Sequence, residues 1–265
     1  MRITGVMQQI QLIKNLRNTN TDISSWQDKL STSQRIQRPG DDPVGIGYLM
    51  RYTSELNRSD EFLENARTGT NWLRTMDSLM QQSNDVLKRA RVLVQQASSG
   101  TVPTDARAQI ASEIMQLKQQ MVAIGNSDFG GRQLFNGQKT DVVPYTETNA
   151  QYETTDKGVY FLNVSASVSV PVSISGEQIF GPASPPPPGT PNDNVFQVLD
   201  DIYNHLNNDQ QDLLFGDLSR IDACVDRIAV SWAEIGARMN RFDMVENRIL
   251  DEQVNLKKLK SDVGD

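Results

Sequence analysis

The sequence predicts a mainly α-helical protein with an inserted β-rich domain, an elongated bundle of long heptad-patterned helices drawn from both ends of the chain. Three observations carry that expectation. Near the C-terminus, alternating steps of four and three meet Leu214, Leu218, Ile221, Val225, Ile228, Trp232, Ile235, Met239, Phe242, Glu246, Ile249, Gln253, Leu256, Lys260 and Val263, twelve of fifteen apolar. A second stripe of this kind starts at Phe62. Between the two, residues 130–180 change to β-branched, alternating segments. A stripe sustained over many heptads is a helix face that meets other long helices.

The first helix is predicted over residues 3–36, with a ragged stripe of Val6, Ile13, Leu16, Asn20, Ile23, Gln27 and Leu30 flanked by Trp26. Alone it buries little and should be weakly ordered. Arg38-Pro39-Gly40-Asp41-Asp42-Pro43 breaks it, because each proline disfavours helix at the residue before it. Asp41 or Asp42 is placed to cap the next helix, with Pro43 in its first turn.

That second helix should run from about Gly45 to Ser98. Its stripe includes Gly69, Leu73, Met76, Met80, Leu87 and Ala90, and its small members allow close helix approach. Residues 99–103 stop it. Thr104 is the expected cap of a third helix carrying Ile110, Ile114, Leu117, Met121 and Ile124 to near Gly125. Val159–Val164 and Val168–Ile174 read as strands, preceded by Gly-Gly and Asn-Gly turns.

Residues 181–191 hold six of the eleven prolines and read as a stiff linker. Asn192 or Asp193 is the expected cap of a short helix with Phe196, Leu199, Ile202 and Leu206 inside, and the last helix covers about Asp212 to Asp262. The simplest burial of the two helical faces is against each other. This pairs Leu73, Met76, Met80 and Leu87 with Ile228, Trp232, Ile235, Met239 and Phe242.

Composition narrows the function. A net charge of −7 with 22% charged residues argues against nucleic acid as the main partner, since phosphate binding needs clustered Lys and Arg. No run approaches the roughly 20 apolar residues of a membrane span. The N-terminus lacks the continuous apolar segment of a secretory signal peptide. Cys224, the only cysteine, reads as a packing residue.

No catalytic or cofactor constellation is visible. His205 is the only histidine, no zinc-spaced cluster occurs, and no Gly-x-x-x-x-Gly-Lys loop is present. Asp41 and Asp42 lack the further alternating oxygen ligands of a calcium loop. The expectation is a protein that is not an enzyme and needs no cofactor or metal.

Several segments are specific. Met1-Arg2-Ile3-Thr4, the run from Leu30 to Val44 (LSTSQRIQRPGDDPV), Arg91–Ser98, Leu134-Phe135-Asn136-Gly137 and Glu234–Arg241 together resemble the flagellin superfamily. Asp-Asp-Pro at 41–43 and Phe-Asn-Gly at 135–137 resemble its hook–filament junction branch more than the filament flagellins. The resemblance covers about 1–140 and 192–265. Gly40 departs from the serine often found there, and members continue for roughly another helix, so a C-terminally truncated chain is expected.

The resemblance implies a structural subunit of the bacterial flagellum at the junction of hook and filament, exported by the flagellar type III apparatus. It would be extracellular once assembled and cytoplasmic only before export. Its partners would be further copies of itself in a ring, a neighbouring hook-associated junction protein, flagellin and an export chaperone. Neither nucleic acid nor membrane is among them. Assembly contacts would fall on Ile13, Leu16, Ile23, Trp26 and Leu30, and on Ile249 and Leu256. Arg38, Pro39, Asp41, Asp42 and Pro43 form its signature loop.

The expected division is 1–42 as an assembly and export helix, 43–140 with 192–265 as a discontinuous rod, and 141–191 as an outer β domain with its return linker. Two alternatives remain: a filament flagellin, or a helical stalk whose β domain recognises a glycan or host surface through Tyr145, Tyr152, Tyr160 or Phe161. In alternating strands those rings read more readily as core.

Overall fold

A computed structural model describes residues 3–99, 102–185 and 193–265. Among them lie α1 (Ile3–Thr32), α2 (Pro43–Ala97), α3 (Thr104–Gly125), α4 (Gly176–Phe180), α5 (Val195–Asn207) and α6 (Gln211–Gly264). Two small antiparallel ladders pair β1 (Asp128–Phe129) with β2 (Arg132–Gln133), and β3 (Phe161–Asn163) with β4 (Ser169–Pro171). α2 and α6 have 55 and 54 residues. The chain is therefore mainly α-helical, with long helices from both ends and a small β-containing region between them. It forms two compact units, Met1–Glu61 with Arg248–Asp265, and Phe62–Asn247.

In the Phe62–Asn247 unit the two stripes meet. Leu73, Met76, Met80 and Leu87 of α2 are fully buried, as are Leu214, Ile221, Ile228, Ile235 and Phe242 of α6. Trp232 and Met239 are half-buried. They sit at the margin of the contact because every second stripe position turns toward its edge. The Trp232 indole uses this position to donate to Asp77 at 2.6 Å.

Ion pairs cross each helix seam: Arg91 with Asp222 between α2 and α6, Arg89 with Glu113 between α2 and α3, and Lys118 with Asp200 between α3 and α5. His205 bonds Asp217 at 2.7 Å across the α5–α6 seam. Cys224 is buried, and its thiol donates to the Asp193 carbonyl.

The β-containing segment belongs to this same unit. Phe135, Tyr145, Phe180 and Phe196 form one ring cluster with centroids 4.8–5.8 Å apart. Asn136 donates to the Val142 carbonyl and accepts from the Asp156 amide, so it ties two loops together. Gly137 has φ 58°, and a Cβ there would lie 2.3 Å from the Asp156 carbonyl oxygen. The Leu-Phe-Asn-Gly motif thus consists of two core anchors, a loop bracket and an obligatory glycine.

Several expectations are corrected. The strands are much shorter than their sequence patterns; at one end a side chain replaces a ladder bond, the Tyr160 amide donating to Ser173 Oγ. Tyr152 and Phe161 are exposed rather than core; only Tyr145 of the four rings is fully packed. Asn194, not Asn192 or Asp193, caps α5, accepting from the Phe196 and Gln197 amides. Asp193 instead pairs with Arg227. Thr104 is the first residue of α3, whose N-cap position is Pro103 with no side-chain cap. Asn192 and most of the proline-rich linker (186–191) lie outside the described residues.

Candidate assembly surface

The second unit holds the residues that sequence assigns to assembly. α1 ends at Thr32, earlier than predicted, because Ser33 takes a left-handed conformation (φ 54°) that terminates a helix. From residue 5 to 32 only Lys29 is less than exposed. Ile13, Leu16, Ile23, Trp26 and Leu30 are between 48% and 78% exposed, and Val6 and Ile10 extend the same uncovered surface. Together they form a continuous run of exposed apolar side chains along one helix rather than scattered single residues.

The local sequence makes α1 a weak helix by itself. Thr19, Thr21, Ser25, Ser31 and Thr32 turn their hydroxyls back onto carbonyls three or four residues earlier. Such short polar residues are mediocre helix formers, so most helical stability must come from packing.

The signature loop connects α1 to α2. Asp42 caps α2, its Oδ1 accepting from the Val44 and Gly45 amides at 3.1 and 2.9 Å. Asp41 Oδ2 accepts from the Gln37 and Arg38 amides. The Arg38 amide and then that of Gln37 hold its carboxyl below the ordinary value of 3.8. Both acids are therefore engaged with backbone donors. Arg38 and Pro39 are exposed on the outside of the turn, and Pro43 opens α2.

Arg35 and Ile36 join this constellation, although sequence reasoning gave them no role. The Arg35 amide donates to the Gly264 carbonyl at 2.6 Å and its guanidinium to the Val263 carbonyl at 2.8 Å. Ile36 is 4% exposed and presses on Gly45, where a Cβ would sit 2.5 Å from its Cδ1. One signal was available: Ile36 is the single large apolar residue in the polar run 31–42.

Ile249 and Leu256 are corrected from outward contacts to packed positions. They are 3% and 9% exposed, on the α6 face that also carries Gln253. Gln253 donates to Asp60 Oδ1 of α2 at 2.8 Å. This polar stripe position is therefore satisfied inside the chain. Outward apolar residues in this part of α6 are Leu250, Val254 and Leu259, which lie off the counted stripe.

Among the described residues no group of three His, Cys, Asp or Glu side chains could hold a metal ion, and no helix is long and apolar enough to cross a membrane.

Comparison with known proteins places these features. The family model of the bacterial flagellin N-terminal helical region matches residues 3–140. Flagellar hook-associated protein 3 of Escherichia coli (strain K12) is 23% identical over 282 residues, across 100% of this chain and 88% of that protein. Its namesake in Salmonella typhimurium is 25% identical across 76% of this chain and 65% of its own length. A flagellin of Bacillus subtilis is 24% identical, covering 100% of this chain and 87% of that protein. Among solved structures, hook-associated protein 3 of Legionella pneumophila superposes with a TM-score of 0.67 at 17% identity, covering 80% of this chain and 98% of that one.

Proposed function

Because this chain belongs to the bacterial flagellin family defined by that N-terminal helical region, we propose that it is a structural subunit of the flagellum at the junction of hook and filament. The observation that carries this reading is α1, an apolar-faced helix of 30 residues that its own chain leaves uncovered. A subunit that polymerises needs such a face, because the helix gains its stability only when neighbours cover it. The similarity over the full chain to a hook-associated protein 3, and the likeness in fold to solved hook-associated proteins, support the junction.

In this reading Ile13, Leu16, Ile23, Trp26 and Leu30 contact neighbouring subunits, which include copies of this chain, an adjoining hook-associated protein and flagellin. The marginal independent stability of α1 suits export through the flagellar type III apparatus, with a chaperone holding the chain beforehand. The subunit then resides outside the cell in the assembled flagellum and performs no catalysis. A filament flagellin is the second reading, favoured by the similarity to the Bacillus subtilis flagellin over the whole chain.

Deleting the gene separates the two. Loss of a junction subunit leaves hooks intact while flagellin escapes into the medium, and normal filaments on the deletion strain would refute the junction. Loss of a filament subunit leaves no flagellin to escape. Complementation with Ile23→Asp plus Leu30→Asp should fail, even though these exposed changes leave the monomer folded.

A further inference from the structure

We infer that Met7 of α1 is a modification site: a peroxide oxidises its thioether to the sulfoxide, and the oxidised subunit stays folded but loses assembly. The inference rests on the assembly reading above and adds a chemical control on it.

The methionines differ sharply in access. Met7, Met50 and Met244 are between 66% and 69% exposed, whereas Met76, Met80 and Met121 are fully buried in the Phe62–Asn247 unit. An oxidant must reach the sulfur to transfer oxygen, so reaction should be confined to the exposed group. The thiol offers no competing target. Cys224 is fully buried, donates to the Asp193 carbonyl, and is held by burial in the less reactive protonated form. A mild peroxide dose therefore modifies the surface and spares the core.

Of the three exposed methionines, only Met7 lies on the contact helix. Val6 precedes it and Ile10 follows one turn later, both more than half exposed, so the sulfur sits within an apolar surface. An unbranched thioether suits a contact of irregular shape, because its rotatable bonds let it adapt. The same sulfur is the point at which an oxidant can change that surface.

The step balances with hydrogen peroxide as the co-reactant. The sulfur lone pair attacks one peroxide oxygen, the O–O bond breaks and an S–O bond forms. Sulfur loses two electrons to the peroxide, and the second oxygen leaves as water after taking up the proton of the first. In the monomer the new oxygen accepts hydrogen bonds from solvent, and the fold is undisturbed. In an apolar contact it loses that water, and an unpaired polar group is costly to bury. The penalty falls on the assembled state alone, so oxidation shifts the equilibrium towards free subunits.

Sedimentation of the full chain over rising concentration, before and after hydrogen peroxide, tests this. Peptide mass mapping should find one added oxygen on Met7 and none on Met76, Met80 or Met121. Oxidation should weaken self-association by roughly tenfold or more at unchanged far-UV circular dichroism. A methionine sulfoxide reductase should reverse the loss, and Met7→Leu should associate normally and resist the oxidant. If the oxidised chain associates like the untreated one, or Met7→Leu proves as sensitive as the unaltered chain, the inference falls. The assembly reading survives that result provided Ile23→Asp plus Leu30→Asp abolishes association. If this double variant associates normally, or the untreated chain stays monomeric throughout, both fall.

Discussion

At position 69 a hydrogen in place of a methyl group decides how closely α2 and α6 can meet. A Cβ on Gly69 would lie 2.5 and 2.6 Å from two ring carbons of Phe242, and that ring is fully buried. Alanine improves helix propensity by up to about 1 kcal/mol, but overpacking a rigid core contact costs about 1–3 kcal/mol. Gly69→Ala should therefore destabilise by roughly 1–2 kcal/mol net, read as a lower urea midpoint at unchanged slope. A midpoint equal to or above that of the unaltered chain would mean the ring has room to move. Cys224 offers a second measurement at this scale. Burial pushes its thiol from 9.0 up to about 12, with Arg220 opposing weakly. The folded value exceeds the unfolded one, so this group's contribution to stability is complete below about pH 9 and lost as pH rises towards 12. Folded protein should resist alkylation at pH 8, and Cys224→Ala should flatten the alkaline part of the stability profile. Rapid modification of folded protein would contradict the burial.

Among the elements, α1 carries the most specific expectation. From residue 5 to 32 every residue but Lys29 is exposed, so opening should be easy. Amides from Ile13 to Leu30 should exchange rapidly in dilute monomer and slowly in polymer, as hydrogen exchange with mass spectrometry would reveal. Strong protection in the monomer would show that the helix does not depend on neighbours. The helices were legible in the sequence because heptad period and proline breaks are local signals. The contacts at their ends were not. Asn194 rather than Asn192 or Asp193 caps α5, since three adjacent residues share the same capping chemistry and only the path of the chain selects one. Where β3 and β4 stop short, Ser173 Oγ takes the Tyr160 amide, a side-chain substitution that alternation cannot reveal. Ile249 and Leu256 were expected outward from the resemblance alone, and the polar Gln253 between them gave no local sign of an internal partner. Its partner Asp60 lies nearly two hundred residues away in sequence.

For the whole molecule, the two compact units differ in what holds them. The Phe62–Asn247 unit contains most of the large fully buried side chains, including Phe135, Phe180, Phe196, Phe242, Leu73, Met76 and Met80. The other unit relies on Ile36, Leu56, Ile249 and Leu256, with polar locks such as Gln253 on Asp60 and Arg35 on Gly264. Hydrophobic burial is the dominant stabilising contribution, so the unit with the smaller core should open at lower denaturant. The three tryptophans provide separate reporters. Trp26 is already exposed in the less buried unit, whereas in the other unit Trp72 is buried and Trp232 half-buried. Urea should therefore produce a first transition with a large loss of far-UV helical signal and little change in tryptophan emission. A second transition should carry the red shift of Trp72 and Trp232 as their surroundings fill with water. Leu56→Ala should lower only the first midpoint, and Met76→Ala chiefly the second, each by about 2–5 kcal/mol of its own unit's stability. Superimposable circular dichroism and fluorescence curves would mean that the chain unfolds as one cooperative body, and the division of labour between an assembling unit and a packed unit would lose its thermodynamic basis.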